Sequence, residues 1–461
     1  MIVRLAELKL LHFKNVCEGK ISMPNIDSRD LDYKQSEILG LYGQNGSGKT
    51  AVVDALYYLQ KIMTGESVDE EFINYMDVNS KDTQIEAYFN IFSLEGMDTE
   101  AVYNVAYKIH FQKNSKGKAE ILNESLEYKK DKKRSKLKYE RENIDGIFTP
   151  KTVLDLLVKS NHEAYTDLLV AKKIAEKLNC SYIFGDNSRE IFDVNDTGNF
   201  KEYSEIIRAL FYYALRDLFV IRNIHSGVIS ANVLLPMAFR VENENVGSKG
   251  DFAIPLAEIT VLDEDRKNLL DTIVKQINLV LYTIIPNMKI DVKDYGEQLT
   301  ESGEKGHRVE LVSIRENMPS IPIRMESEGI IKIISILHAL IQAFGNPSIC
   351  LVIDELDAGI FEYMLGELLQ IFDKHAKGQL IFTSHNLRAL EMLNKSSIMF
   401  STANPDNRYI RMKNIKSSNN LRDVYLRAIT LGGQSETIYD ETDSLKIARA
   451  FRKAGREVYN G

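Results

Sequence analysis

Gly43 to Thr50 reads GQNGSGKT. It follows the apolar run ILGLY (38–42) and precedes AVVDALYYLQKIM (51–63), whose apolar residues recur at helical spacing. A strand, a glycine loop and a helix are therefore expected in that order. Gly43, Gly48, Lys49 and Thr50 fit the pattern G-x-x-x-x-G-K-[ST] in the setting it requires. Glycines let successive backbone N–H groups turn inward toward phosphate oxygens. The following helix adds the positive end of its dipole. Gly43, Asn45, Gly46, Ser47, Gly48, Lys49 and Thr50 are thus candidate nucleotide-binding residues. Lys49 is expected to reach the β and γ phosphates, and Thr50 to offer a hydroxyl to magnesium.

Two later runs supply the chemistry that a phosphate cradle lacks. ICLVIDELD (349–357) is an apolar strand ending in adjacent acids, at the edge where open α/β sheets bind ligands. Asp354 is the candidate magnesium ligand, and Glu355 the general base for an attacking water. LIFTSHN (380–386) is a second buried strand, ending at His385, a candidate contact to the γ-phosphate.

The rest of the chain divides by texture. Residues 2–15 alternate as a strand, and 83–140 read as an antiparallel meander. From about 150 to 285 the runs TVLDLLVKS, TDLLVAKKIAEKL, YSEIIRALFYYALRDLFV and RKNLLDTIVKQINLVLYTII predict helices, with polar breaks at 186–199 and 241–251. After 320, strands and helices alternate, which predicts a parallel sheet covered by helices. The expected units are 1–145, 146–305 (mainly helical), 306–415 and a tail at 416–461.

The 461 residues carry a net charge of −8, so any nucleic-acid contact must come from a local patch. The basic run Tyr128–Arg141 is one candidate; the alternative is a solvated hairpin whose lysines guard a sheet edge. The tail helix around 448–456 could dock a partner or simply lie on the surface, and the aromatics of 211–219 are expected in the core of the helical region. Three scattered cysteines, Cys17, Cys180 and Cys350, fit a reducing cytosol, and neither a disulfide framework nor a zinc site is expected from them. With no apolar run long enough to span a bilayer, a cytoplasmic protein without a membrane partner is expected.

In this order, the three runs resemble the ABC-type ATPase heads of the SMC, RecF and OLD group. By that resemblance GQNGSGKT is Walker A, LVIDELD is Walker B with its catalytic glutamate, and SHN carries the switch histidine. The opening LKLLHFKNV, with His12, Phe13, Lys14 and Asn15, is similar to the first strand of such heads. MESEGIIKII, with Ser327, Gly329 and Lys332, resembles their signature segment. Ser327 and Gly329 would then complete the nucleotide site of an opposing subunit, and Asp357 sits where these heads carry a D-loop aspartate. No Q-loop glutamine is identifiable; Gln84 and Gln112 lack decisive context.

The implied fold is α/β: a P-loop NTPase head of the ABC-ATPase kind, with an antiparallel β lobe and a helical insertion. The implied activity is hydrolysis of ATP to ADP and phosphate with Mg2+, in a homo-oligomer closed head to tail around ATP. Lys49, Glu355 and His385 would be its catalytic residues. DELDAGIFEYMLGELL and the terminal RAFRKAG are similar to compact bacterial AAA-family ATPases, OLD-like, of anti-phage defence: PARIS-like, Septu-like and RloB-associated. That resemblance implies antiviral defence through a separate nuclease or toxin effector. A RecF-like ATPase acting on DNA in repair is the alternative, and a nucleotide-dependent scaffold with little turnover is a third.

Overall fold

The computed structural model describes residues 1–25, 34–92, 102–130, 133–141, 147, 162–194, 200–223, 227, 234–243, 246–256, 258–300, 302–413 and 420–457. The N-terminal lobe holds strands β1 (Ile2–Phe13) and β2 (Val16–Ser22), then β3 (Glu37–Tyr42), helix α1 (Lys49–Met63) and strands β4 (Asp82–Phe92), β5 (Val102–Lys113), β6 (Ala119–Lys130) and β7 (Lys133–Glu140). Helices α2 (His162–Leu178), α3 (Asp186–Val194) and α4 (Lys201–Tyr212) follow, then β8 (Leu218–Ile221). Next come β9 (Leu234–Asn243), β10 (Val246–Pro255), β11 (Thr260–Asp263), helix α5 (Glu264–Ile284), β12 (Met288–Leu299), β13 (Lys305–Arg315) and β14 (Ile321–Pro322). The C-terminal part holds α6 (Glu328–Gly345), β15 (Cys350–Ile353), α7 (Glu362–His375), β16 (Gln379–Thr383), α8 (Arg388–Met392), β17 (Ile398–Ser401), β18 (Tyr409–Ile410), α9 (Leu421–Leu431) and α10 (Ser444–Glu457).

The expected mixed α/β architecture is present. Its central sheet runs β18-β17-β3-β16-β15-β8. Its five strands from β17 to β8 are parallel, and β18 is an antiparallel edge. Side chains on these strands alternate between two cores. Leu39, Leu41, Cys350, Val352 and Ile381 join α1 and the N-terminal lobe. Ile38, Tyr42, Leu351, Ile353, Leu380 and Phe382 join α6, α7 and α5. This two-sided burial is why these strands read as unbroken apolar runs.

The meander expected at 83–140 is the antiparallel sheet β2-β1-β4-β5-β6-β7, completed by the first two strands of the chain. Helix α6 is the one described helix long and apolar enough to cross a membrane, and it lies mostly within the protein core.

The helical reading of 150–285 needs correction. It holds for α2, α4 and α5, while TVLDLLVKS lies outside the described residues. YSEIIRALFYYALRDLFV does not stay helical. After Tyr212 it passes through a π-helical turn, Tyr213–Asp217, into β8, a strand of the central sheet paired in parallel with β15. Of the aromatic run, Tyr213 and Phe219 are buried in the main core with Leu218, whereas Tyr212 is exposed. The break expected at 186–199 contains α3, and the break at 241–251 lies within an antiparallel pair, β9 with β10. β12 and β13 form a further antiparallel pair with β11.

Candidate functional site

Three strands of the central sheet deliver their C-terminal ends to one edge. β3 runs into Gly43, β15 into Asp354, and β16 into Ser384 and His385; Leu41 pairs with Thr383, and β15 runs parallel beside β16. Between Tyr42 and α1 the backbone turns through positive φ at Gly43, Gly46 and Gly48 (152°, 78° and 91°). Gly48 is the N-cap of α1 in the left-handed conformation, which a side chain would strain. The first turn of α1 holds no acid, so nothing in the helix opposes its positive end.

The loop is braced from behind. Tyr409 donates its hydroxyl to the Gly48 carbonyl at 2.6 Å, and Asn15 donates its side-chain amide to the Gly46 carbonyl. Ser47 shares a hydrogen bond with Ser401. Lys49 is buried and folded back, its Nζ donating to the carbonyls of Gly43 (2.9 Å) and Gln44 (3.0 Å). Desolvation pulls its pKa below the usual lysine range, against the nearby acids Asp354, Glu355 and Asp357. An ammonium held by two carbonyls at the mouth of such a loop is poised for an anion.

The acids lie beside it. Thr50 Oγ1 is 3.5 Å from Asp354 Oδ1, which also accepts the Thr383 hydroxyl at 2.6 Å. Asp354 Oδ2 is buried without a hydrogen-bond partner. A buried, orphaned carboxylate oxygen beside a threonine hydroxyl fits a hard divalent cation, so Thr50 and Asp354 could hold magnesium. Glu355 has a left-handed backbone (φ 49°), fixed on one side by its N–H to Thr383 Oγ1 at 2.7 Å and on the other by Lys332 Nζ donating to its carbonyl. The His385 N–H donates to Asp357 Oδ2 at 3.0 Å, while Asp357 Oδ1 is buried and unpartnered. Burial first, and the nearby Lys49 second, lower the pKa of His385.

Gly43 to Thr50, Asp354, Glu355 and His385 thus gather at one edge of the sheet. Ser327 and Gly329 stand instead at the start of α6. Ser327 is the N-cap, exposed, and its side chain makes no cap hydrogen bond. Gly329 lies against Gly359; a Cβ there would fall 1.9 Å from the Gly359 carbonyl oxygen. Gln84 and Gln112 lie in β4 and β5. Sequence reasoning missed Thr383, which binds both Asp354 and the Glu355 N–H. Its signal was its place, two residues before His385, at the end of a buried strand. It also missed Gln44, whose side chain accepts from the Asp440 N–H at 2.8 Å and ties the C-terminal segment to the loop.

No protein-family model and no curated protein sequence matches the chain. Among solved structures, it is similar to the Smc head domain of Pyrococcus furiosus, solved with an extended coiled coil and bound to the C-terminal domain of ScpA. That alignment has 13% identity over 89% of this chain and 96% of that one, with a TM-score of 0.39. The SMC head domain of Thermotoga maritima aligns at 12% identity over 89% and 100%, TM-score 0.37. The Smc head with a coiled coil and joint from Pyrococcus yayanosii aligns at 12% over 93% and 100%, TM-score 0.40.

Proposed function

We propose that this chain is an ABC-type ATPase that closes as a head-to-tail homodimer around ATP and governs a separate nuclease or toxin effector in anti-phage defence. The observation that carries the ATPase reading is the orphaned Asp354 carboxylate oxygen set between Thr50 and the buried Lys49. In this reading the head is assembled from 1–145, strand β8 and 306–415, with the rest of 146–305 inserted and 416–461 as tail.

The backbone N–H groups of Gly46 to Thr50 bind the phosphates, and Lys49 leaves its two carbonyls for them. Thr50 and Asp354 hold Mg2+, which supplies charge neutralisation on the phosphates when bound. Glu355 orients and deprotonates water, its backbone clamped by Thr383 and Lys332. His385 reports the γ-phosphate. Ser327 and the Gly329 N–H reach the partner's nucleotide.

The test is nucleotide binding and phosphate release by purified wild type, Lys49→Ala and Glu355→Gln. Lys49→Ala should bind ATP at least about tenfold more weakly, and Glu355→Gln should bind ATP but turn over about 10²-fold or more slowly. Wild-type turnover in Glu355→Gln places the base elsewhere. The effector is sought by recovering what travels with Glu355→Gln from cells that also express its neighbouring genes.

Action on DNA is the second reading. It is favoured by a cleft of about 480 Å3 on the antiparallel lobe, whose lining includes Tyr88, Lys129, Arg134 and Lys136. Against it, Glu127 shares that lining and pairs with Lys136, and Lys133 and Lys138 pair with Glu202 and Glu140. Recovery of DNA without a protein partner would favour this second reading.

A further inference from the structure

A second set of metal-binding side chains gathers at the turn between β1 and β2, sharing no residue with the Thr50–Asp354 pair. His12 at the end of β1, Cys17 in β2 and Asp77, just after the turn Glu70–Tyr75, each bring one ligand atom within 4.8 Å of the others. All three are half-buried. The Cys17 thiol donates to Asp77 Oδ2 across 3.9 Å. A thiol, an imidazole and a carboxylate thus converge from three separate segments.

The local backbone holds them there. The His12 carbonyl accepts from the Asp77 N–H (3.0 Å) and the Thr83 hydroxyl (2.7 Å). His12 itself is held at φ 53°, a conformation unusual for a residue with a side chain. Asp77 Oδ1 caps the Asn79 N–H at 2.8 Å, which leaves Oδ2 toward Cys17. The Arg408 N–H donates to the Glu18 carbonyl at 3.0 Å and ties the Asp406 turn to β2.

We propose that His12, Cys17 and Asp77, with solvent in the fourth position, bind a thiophilic divalent cation of the Zn2+ class. Thiolate and imidazole select Zn2+ over Mg2+, which prefers an all-oxygen shell. Ligand atoms about 3.3 to 3.8 Å apart follow from tetrahedral geometry at ordinary zinc bond lengths. Small side-chain rotations bring atoms within 4.8 Å to that spacing. Cys17 releases its proton to solvent as the sulfur–metal bond forms.

The β1–β2 turn, which carries His12 and Cys17 on either side, backs the glycine loop. Asn15 lies between His12 and Cys17 and donates to the Gly46 carbonyl. Arg408, two residues past Asp406, donates to the Asn15 carbonyl, and Tyr409 donates to Gly48. The cation braces the loop from outside the nucleotide pocket.

The experiment uses the nucleotide-free full chain, so it does not depend on the ATPase reading. Zn2+ affinity is measured by chelator competition, and Co2+ is added as a spectroscopic probe of thiolate ligation. One equivalent per chain with a thiolate-to-metal band is expected, undiminished by excess Mg2+ and retained in Lys49→Ala. Cys17→Ser should abolish the band. His12→Asn, which tolerates the left-handed backbone, and Asp77→Asn, which keeps the cap on Asn79, should each weaken Zn2+ at least about tenfold with unchanged circular dichroism. If Cys17→Ser fails to fold, these two variants decide alone. The proposal is overturned by absence of binding, by displacement with Mg2+, by a band that persists in Cys17→Ser, or by His12→Asn and Asp77→Asn proteins that bind like wild type.

Discussion

The His385 ring carries a pH signature that can be measured on its own. Burial first, and the Lys49 ammonium second, hold its pKa below the ordinary 6.5, while Asp357, Glu355 and Asp354 pull the other way. The unfolded chain therefore takes up this proton first as pH falls. The contribution to stability is full above the unfolded value and is lost as pH drops toward the folded one. Ring-proton NMR of the nucleotide-free protein should show His385 titrating below 6.5. A bound nucleotide should move it upward, because a phosphate beside the ring favours its charged form. Titration above 6.5 without nucleotide would contradict the arrangement. At this scale much of the site was legible. The loop residues are contiguous, and their motif is set by local backbone needs. Thr383 was not legible, because its importance comes from two strands brought side by side.

Elements were legible where one period ran unbroken. β3, β15 and β16 are buried on both faces, and α6 is apolar nearly all round, so each reads as a single run. β8 was hidden because LFVI follows an amphipathic helix without a glycine or proline to mark the change. Glu124 was hidden for a similar reason, as one acid in an alternating strand. It is fully buried in β6 and accepts from the N–H groups of Tyr182 (3.0 Å) and Ile183 (3.1 Å) and the Tyr107 hydroxyl (2.9 Å). It thereby fixes the turn after α2 to the antiparallel sheet. Glu124→Ala leaves all three donors buried without their acceptor and should cost about 2 to 4 kcal/mol in urea denaturation. Glu124→Gln keeps an acceptor oxygen and should cost less. Equal losses for the two variants would mean that the carboxylate charge, rather than the bonds to the turn, holds these elements together.

Across the whole molecule, the antiparallel lobe is fastened to the central sheet by a buried charge network. Arg4 of β1 donates to Glu37 at the head of β3 (3.0 and 3.1 Å) and to the carbonyls of Gln35 and Lys377, both at 2.9 Å. Gln379 of β16 closes the network by donating to Glu37 (2.9 Å) and to the Leu5 carbonyl (2.7 Å). Removing one partner strands the other charge in the core, so Glu37→Ala should destabilise by about 3 to 5 kcal/mol. A loss under about 1 kcal/mol, the scale of a surface pair, would show that the lobe is held by its apolar contacts alone.

Rigid coupling of this kind matters for the proposed closure. In one protomer α6 grips the loop after β15 twice, through Gly329 against Gly359 and through Lys332 on the Glu355 carbonyl. A phosphate of the partner's ATP, bound at the exposed N-cap Ser327, would therefore press on a helix already clamped to Glu355. With ATP and Mg2+, Glu355→Gln should sediment as a dimer, and without nucleotide as a monomer. Adding Ser327→Arg to that variant puts a bulky side chain where the partner's phosphate must approach. It should stay monomeric while binding ATP as before, because Ser327 lies outside its own glycine loop. If the Ser327→Arg protein still dimerises on ATP, the helix start does not meet the partner's nucleotide. The clamp on Glu355 would then serve only the stability of its own protomer.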